Sequence, residues 1–235
     1  RGMMDLALFE VGAAFQGGEP GEQHLQAAGI LIGHSGPRDP LGARRAVDVF
    51  DIKADAEAAL AAIGAPAKAQ ILRNAPAWWH PGRSGMICLG PKKVLGIFGE
   101  LHPKILKAMD VKGPAMAFTL FPEEVPMPRS ANASRGALAI SDLQSVERDF
   151  AFVVDAQVEA LDLVNAAAGA DKALVQEVRV FDEFIGGSLG EGKKSIALAV
   201  RLQPKDKTLT EDEIEAVGVK IIEKVSKATG AMLRG

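Results

Sequence analysis

The chain has 235 residues, 48% hydrophobic and 24% charged, which is typical of a globular protein of one or two domains. Residues 1–140 carry 15 Lys and Arg against 13 Asp and Glu, whereas residues 141–235 carry 12 against 17. An acidic C-terminal region excludes nucleic-acid binding through a bulk positive field, so any RNA contact there must be local. The single cysteine, Cys88, excludes an internal disulfide and fits a reducing compartment.

The first residues do not predict a signal peptide, because Arg1–Asp5 lack the apolar core that such a peptide needs. The chain enters at once the apolar run Leu6–Gly12, which is typical of a strand already under way. No apolar run reaches the length of about 18 residues that a membrane span needs. We therefore expect a piece of a longer, cytoplasmic protein with no membrane contact.

Short apolar runs and turns fill residues 1–121 and predict a sheet with few helices. The predicted strands are Leu6–Phe15, Gln26–Gly33, Met86–Leu89, Val94–Gly99 and Ala115–Leu120. The third and fourth strands form a hairpin across Gly90–Lys92. A helix is predicted at Ala56–Ile63, where Asp55 caps its start and Gly64 ends it. A shorter helix is predicted at Ile105–Met109.

The segment Ala75–Gly85 is rich in Pro and Trp and predicts a loop. Its His80 and Arg83 either satisfy backbone carbonyls in a buried loop, which is the favoured interpretation, or are the relic of a ligand pocket. Glu100 and His102 could face one ligand. Since no third ligand follows at metal spacing, no metal site is predicted.

No residue of the first half predicts catalysis. Cys88 has no partner base in the sequence, and no glycine motif of the phosphate-binding kind opens a helix. Prolines and serines recur after Phe121, so we place a linker at residues 122–140.

The stretch from Val146 to the C-terminus alternates strand and helix periods as β-α-β-β-α-β. The predicted strands are Val146–Val154, Val175–Phe184, a third beginning at Lys193, and an edge strand at Ala231–Arg234. One helix ends at Gly169, and the second begins with a capping box of Thr210 and Glu213 and stops before Gly230. Two helices over one face of a four-stranded antiparallel sheet define a ferredoxin-like arrangement.

The other face of this sheet is predicted to be small and smooth. Its floor would consist of Ala151, Ser195, Ala197 and Ala199, and its rim of Lys193, Arg201 and, less directly, Arg179 and Phe181. Such a face suits an RNA backbone or splayed bases. Packing against another protein domain is an equally supported alternative. The aromatic pairs of an RNA-recognition motif are missing from the predicted central strands.

Several motifs in series resemble one family. Arg148–Ala151, Phe181–Asp182 with Gly186, Gly192–Ala197, Thr208–Thr210 with Glu213–Ile214, and Gly230–Arg234 resemble the ferredoxin-fold anticodon-binding domain that ends the β subunit of bacterial phenylalanyl-tRNA synthetases. Leu8–Gly12, Asp48–Lys53, His80–Ser84 and Gly99–Pro103 resemble the catalytic-like module of the same subunit. Residues 122–145 depart from the family pattern, with Leu143–Ser145 in place of the usual aromatic residue or proline, which leaves the start of the last domain open.

The resemblance implies three regions and an α+β fold. Residues 1–121 would form a class II synthetase-like antiparallel sheet without catalysis, 122–140 a linker, and 141–235 the anticodon-binding domain. A working class II site needs arginines on the phosphates of ATP, and Leu8–Glu10 and Gly99–His102 contain none. The resemblance therefore implies no catalytic residue, metal or cofactor in this chain. ATP and Mg²⁺ would serve the holoenzyme through the α subunit of an (αβ)₂ assembly.

The implied partners are the α subunit and tRNA-Phe. Phosphate contacts are expected from Arg148, Lys193, Lys194 and Arg201, beside Ser195, with stacking on Phe181. Arg148 has the alternative of pairing with a nearby carboxylate, and Lys194 that of extending its stem along the apolar face.

Two other functions remain as alternatives. One is a non-catalytic interaction module whose open sheet face binds protein instead of RNA. The other is an independent aminoacylating enzyme, which the missing arginines disfavour.

Overall fold

A computed structural model of the chain describes residues 3–19, 21–127 and 141–234. The chain divides into two compact units, residues 1–134 and 135–235, and each is described by itself. Of the predicted linker, residues 122–127 are described: Pro122–Glu124 form a 3-10 turn, and Val125 packs against the core of the first unit. The remainder of the linker, 128–140, lies outside the described residues, so the position of the linker stays a prediction.

The first unit is built on a six-stranded sheet whose neighbours are all antiparallel. Its strands are β1 (Leu6–Phe15), β2 (Gln23–Ile32), β3 (Gln70–Leu72), β4 (Trp79–Leu89), β5 (Lys93–Leu101) and β6 (Ala115–Leu120). Their order across the sheet is β1-β2-β6-β5-β4-β3. The helices are α1 (Val49–Ala62) and α2 (Pro103–Ala108). Helix α1 buries Ile52, Ala56 and Leu60 in one cluster with Leu95 and Leu120 of the central strands.

The start of α1 differs from the prediction. Asp48 is its N-cap: the Asp48 side chain accepts from the backbone N–H groups of Phe50 and Asp51, and the Asp51 carboxylate accepts from the Asp48 N–H at 2.9 Å. This reciprocal box stabilises the earlier start, which leaves Asp55 inside the helix. The prediction of Asp55 as the cap was wrong, whereas Gly64 does follow the last turn, with φ of 84°.

The Pro- and Trp-rich segment is also not a loop from Trp79 onward. It opens β4, which pairs with β5 from Trp79↔Leu101 to Leu89↔Lys93. A register shift between Trp79 and Ser84 accommodates the intervening Pro and Gly, because proline cannot donate to a ladder. The prediction of a loop through Gly85 was therefore wrong, and the edge strand β3 was missed.

Other elements of the first unit agree with the strands, hairpin and second helix predicted from the sequence. Strands β1 and β6 have the predicted bounds, and the β4–β5 hairpin turns at Gly90, whose φ is 64°. Helix α2 begins after His102, whose Nδ1 accepts from the Lys104 N–H at 3.1 Å.

The second unit has the predicted β-α-β-β-α-β order. Its elements are β7 (Val146–Asp155), α3 (Ala160–Ala168), β8 (Val175–Phe184), β9 (Lys193–Leu202), α4 (Glu211–Thr229) and β10 (Met232–Leu233). The sheet order is β10-β7-β9-β8, antiparallel throughout. Both helices cover one face, and the core between them contains Phe152, Ile196, Leu198, Leu163 and Ile221. The ferredoxin-like prediction is confirmed.

The ends of α4 follow the sequence signals. The Thr210 hydroxyl accepts from the Glu213 N–H, and the Glu213 carboxylate accepts from the Thr210 N–H at 2.9 Å. Gly230 ends the helix in the left-handed region, with φ of 69°. None of the helices in the described ranges combines the length and apolar character needed to cross a membrane.

Candidate nucleic-acid interface

The open face is the surface of the second sheet that faces away from α3 and α4. The strand register sets its side chains in rows across the strands. One row contains Met232, Val153, Ser195 and Phe184, and the next contains Ala151, Ala197 and Asp182. The register brings the predicted small floor residues together as expected. Ser195 and Ala197 are nevertheless buried, so the Ser195 hydroxyl is not freely presented to a ligand.

Phe184 is an aromatic side chain of this face, opposite Ser195. Its ring rests against Gly186: a Cβ at that glycine would lie 2.5 Å from the ring Cζ, so only glycine leaves the ring its place. The ring is partly exposed, at 41% for the residue. An aromatic face beside small neighbours is a platform on which a base can stack.

A bulge in β8 brings a further aromatic residue, Phe184, to the open face. Val180 pairs with Leu198 and Asp182 with Ala197, so Phe181 between them has no partner in β9. The extra residue reverses the alternation of faces from Asp182 onward. Asp182 and Phe184 therefore join the open face, and stacking on Phe181, which is 51% exposed, stays a prediction.

Two of the predicted cations lie on the open face and are paired. Lys193 Nζ is 2.6 Å from Asp155 Oδ1. Arg201 lies between Glu147 and Glu177, with nitrogen–oxygen distances of 3.8 and 3.7 Å. A phosphate would have to displace these carboxylates.

The other two predicted cations lie on the helix side of the sheet. Arg148 pairs with Glu211 at the start of α4, at 3.2 Å between NH2 and Oε1. Lys194 pairs with Glu183 at 3.2 Å, and its side chain is only 11% exposed. Arg148 and Lys194 thus lie on the opposite side of the sheet from Lys193 and Arg201, because neighbouring residues of a strand point to opposite faces, and their phosphate contacts stay a prediction. The alternative of a carboxylate partner for Arg148 is confirmed.

Sequence reasoning placed Arg179 on the rim of the open face but missed Arg234, the other cation there that has no carboxylate partner among the described residues. Among the described residues, no carboxylate lies within salt-bridge distance of Arg179 or Arg234. Arg179 is opposite Ala199. The Arg234 guanidinium carbon lies 5.7 Å from the centroid of the Phe184 ring. The glycine at 186 is the one sequence signal that could have pointed to this ring.

A different surface lies on the first unit. The β1 face consists of Phe9, Val11 and Phe15 of β1 with Leu25 of β2, all on one side of the sheet. Phe9 is 82% and Phe15 71% exposed, because α1 covers the central strands and leaves β1 bare. A run of large exposed apolar side chains on an edge strand indicates a protein-binding surface.

The first unit has no arginine in the two stretches where the resemblance would place the residues that bind the phosphates of ATP. These stretches are Leu8–Glu10 and Gly99–His102. The nearby Arg83 is committed to Glu100: its NH2 donates to Glu100 Oε1 at 3.0 Å, and this hydrogen bond lowers the pKa of the Glu100 carboxyl. The prediction that Arg83 satisfies backbone carbonyls in a loop was wrong, since the pair joins β4 and β5.

Glu100 and His102 also do not converge on one ligand. Glu100 faces Arg83, and His102 caps α2. His80 Nδ1 accepts from the Gly82 N–H at 3.1 Å. In the described parts of the chain, no three residues of the His, Cys, Asp and Glu types cluster as metal ligands.

The two units define a class of protein, an α+β chain in which a unit with an antiparallel sheet and an exposed apolar edge strand is followed in the sequence by a ferredoxin-like unit with an open sheet face. Residues 141–234 match the family model of the ferredoxin-fold anticodon binding domain, and residues 1–121 match that of the phenylalanyl tRNA synthetase beta chain CLM domain. The chain belongs to the family of phenylalanine–tRNA ligase β subunits.

Curated relatives agree along the whole chain. Phenylalanine–tRNA ligase β subunits are 72% identical in Ruegeria pomeroyi, 66% in Cereibacter sphaeroides and 52% in Paramagnetospirillum magneticum, each over 100% of this chain. The chain spans only about 30% of the length of these relatives.

Proposed function

We propose that this chain is the part of a phenylalanine–tRNA ligase β subunit that binds the anticodon region of tRNA-Phe and docks on the catalytic α subunit. The open face of the second unit binds RNA. The β1 face of the first unit binds protein. The observation that carries the proposal is the exposed Phe184 ring, set against Gly186 and beside a small floor, within a unit that matches an anticodon-binding family.

Binding at the open face is local, as the charge distribution requires. Phe184 supplies a stacking surface, Arg179 and Arg234 supply cations without carboxylate partners among the described residues, and Lys193 and Arg201 can exchange their carboxylates for phosphates. Such an interface has few net charges, so its affinity depends on salt less steeply than that of a strongly basic surface.

Catalysis belongs to the α subunit in this proposal. Aminoacylation by the cytoplasmic (αβ)₂ holoenzyme uses ATP and Mg²⁺, and this chain contributes no catalytic residue and no cofactor site. The first unit instead offers the β1 face, whose large apolar side chains would become buried against the partner.

The test is an assembled enzyme whose β subunit lacks residues 141–234. We expect it to form phenylalanyl-adenylate at the normal rate but to lose protection of the tRNA-Phe anticodon loop against nuclease. Unchanged protection would contradict the assignment of RNA binding to the second unit. Lost adenylate formation together with a missing α subunit would show that the second unit docks protein, the alternative function.

A further inference from the structure

We propose that a cavity beside Trp79 in the first unit binds a small molecule in which a positively charged amine is joined to an aromatic ring. The cavity has a volume of about 590 Å³, which is within the range of small-molecule sites. This inference goes beyond the proposed function, since neither RNA nor the α subunit takes part in it.

The strand register sets the floor of this cavity on the side of the six-stranded sheet away from α1. Its two rows across β1, β2 and β6 are Glu10, Ala28 and Thr119, and Leu8, Ile30 and Ala117. Ala117 belongs to one cluster with Trp79, whereas its neighbour Phe118 belongs to the core cluster of α1. Since neighbouring residues of a strand point to opposite faces, both rows point away from α1.

Two tryptophans form the aromatic wall of the cavity. Trp79 opens β4 opposite Leu101 and is 4% exposed, whereas Trp78 is 56% exposed. The Trp78 carbonyl accepts from the His102 N–H at 2.9 Å, which fixes the backbone of this segment at the start of α2. The wall therefore has one buried ring and one ring that is accessible from solvent.

The buried ring has an unsatisfied donor. The Trp79 indole nitrogen, Nε1, is buried and has no hydrogen-bond partner in the part of the chain that the structure describes. Buried tryptophan N–H groups are usually paired, because leaving a hydrogen bond unmade in a protein interior is costly. An acceptor atom of a bound molecule supplies the missing partner after a small rotation of the Trp79 ring. The ligand therefore has a hydrogen-bond acceptor as well as an amine.

Glu10 gives the cavity its charge. Its side chain is exposed, and among the described residues no Lys, Arg or His nitrogen lies within salt-bridge distance of it. The described lining of the cavity also contains no Lys, Arg or His. A lone carboxylate in one cavity with two tryptophan rings favours an ammonium group, because the carboxylate and the ring faces both attract a cation. Phosphates are disfavoured for the same reason, which agrees with the missing arginine in Leu8–Glu10.

The experiment begins with the 235-residue chain, whose two tryptophans give two indole N–H signals in an NMR spectrum. The probe is phenylethanolamine, which has an aromatic ring, a hydroxyl acceptor and an amine. We expect a saturable shift of the Trp79 signal, which is assigned because it remains in Trp78→Phe. If the Trp79 signal does not move up to about 10 mM probe, the proposal is overturned.

Two matched changes test the charge. Glu10→Gln should weaken binding of phenylethanolamine by roughly 10-fold, because it removes the carboxylate but keeps the size of the side chain. Glu57→Gln is the control, since it changes an exposed carboxylate on α1 and should leave the affinity unchanged. Phenylethanediol, in which a hydroxyl replaces the amine, should bind roughly 10-fold more weakly and equally well to wild type and Glu10→Gln. Equal binding of the two probes to the wild-type chain would reduce the site to an apolar cavity and contradict the assignment of an amine.

A third variant tests the location. Ala28→Phe fills the cavity from an exposed position of β2 and leaves Glu10 in place, so it should abolish the shift of the Trp79 signal. Binding that survives in Ala28→Phe would place the amine elsewhere. If Ala28→Phe does not fold, the comparison of Glu10→Gln with Glu57→Gln decides.

The last arm uses the full β subunit assembled with the α subunit. Calorimetric titration with phenylethanolamine should show one site per β subunit that is present in the wild type and weakened in Glu10→Gln. Identical titrations would mean that the assembled enzyme covers the cavity, and would overturn its role as a ligand site. The proposed function is tested separately, because Glu10→Gln should leave protection of the tRNA-Phe anticodon loop and copurification of the α subunit unchanged.

Discussion

The open face of the second unit and the β1 face of the first are both exposed sheet surfaces, yet their side chains differ in size and charge. The open face has a floor of Ala and Ser, the exposed ring of Phe184, and cations of which two, Lys193 and Arg201, are already paired. The β1 face presents phenylalanines and a valine with no cation among its defining residues. Small side chains let a flat base approach a sheet, whereas large apolar side chains favour binding to a protein because their surface is removed from water in the interface.

This contrast is the reason why we propose a separate partner for each surface. The open face and the β1 face belong to the same chain, whose net charge is only −3. The overall charge therefore does not predict which surface binds RNA and which binds protein. What distinguishes them is the identity of the side chains in each row of the sheet. Substitutions in one surface should therefore affect one partner and leave the other unchanged.

The largest effect is expected at the β1 face. Phe9→Asp combined with Phe15→Asp should weaken α-subunit association by at least roughly 100-fold, because buried aromatic anchors dominate protein interfaces. Copurification of tagged α subunit with the β subunit measures it. Phe50→Asp is the matched control, since Phe50 is 73% exposed on α1 outside the β1 face. Equal losses of α-subunit association in both variants would contradict the proposed role of the β1 face in binding that subunit.

The next largest effect is expected at the stacking ring. Phe184→Leu keeps an apolar side chain but removes the aromatic face, and should weaken tRNA-Phe binding by roughly 10-fold. Phe181→Leu tests the aromatic residue that the sequence alone had favoured, and should change affinity little. Filter binding at fixed salt measures both. The reverse ranking would show that the bulge does not decide the binding residue.

A smaller effect is expected from the glycine behind the ring. Gly186→Ala would place a Cβ within 2.5 Å of the ring Cζ, so the ring must shift. We expect tRNA-Phe affinity to fall several-fold while α-subunit association stays unchanged. Gly187→Ala is the control, because a Cβ there meets nothing within 4 Å. Wild-type affinity in Gly186→Ala would show that the ring position does not matter.

Releasing a paired cation should have a modest effect of the opposite sign. Asp155→Asn frees Lys193 on the open face and should tighten tRNA-Phe binding two- to three-fold. The slope of the logarithm of the binding constant against the logarithm of the salt concentration should become steeper by about 0.7. Glu211→Gln frees Arg148 on the helix side, where no RNA is expected, and serves as the control. If only Glu211→Gln binds tRNA-Phe more tightly, the RNA lies on the helix side of the sheet and the assignment to the open face is contradicted.

The smallest effect concerns stability and should spare both surfaces. Thr210→Ala removes the cap of α4 and should cost about 1 kcal/mol of unfolding free energy. The Lys207 side chain and the Thr210 N–H hold the pKa of Glu213 below its ordinary value of 4.5. The ionised Glu213 therefore contributes to the stability of the second unit above pH 4.5, and this contribution is lost as the pH falls through the lowered pKa. Thermal unfolding of the second unit as a function of pH measures both effects.

The sequence predicts much of the fold because alternation is local. The bounds of β1, β6 and β8 and the capping box at Thr210 follow from residues within a few positions of each other. The first half of β4, from Trp79 to Gly85, was missed because its Pro and Gly are tolerated only through a register shift that depends on β5.

The site was harder to predict because its parts meet across strands. Arg201 pairs with carboxylates on two neighbouring strands, and Arg234 meets Phe184 from the far edge of the sheet. The bulge in β8 moves Phe184 to the open face, and no local pattern marks it. Periodicity therefore predicted the smooth floor correctly but selected Phe181, and it could not show that the expected cations are paired.

The most direct measurement is backbone hydrogen exchange in the β subunit, first on assembly with the α subunit and then on addition of tRNA-Phe. The account predicts that the α subunit protects Leu6–Phe15, whereas tRNA-Phe protects the end of Val175–Phe184 and Met232–Leu233 and leaves Leu6–Phe15 unchanged. Protection of Leu6–Phe15 by tRNA-Phe, with none at Val175–Phe184, would contradict the division of the two surfaces between protein and RNA.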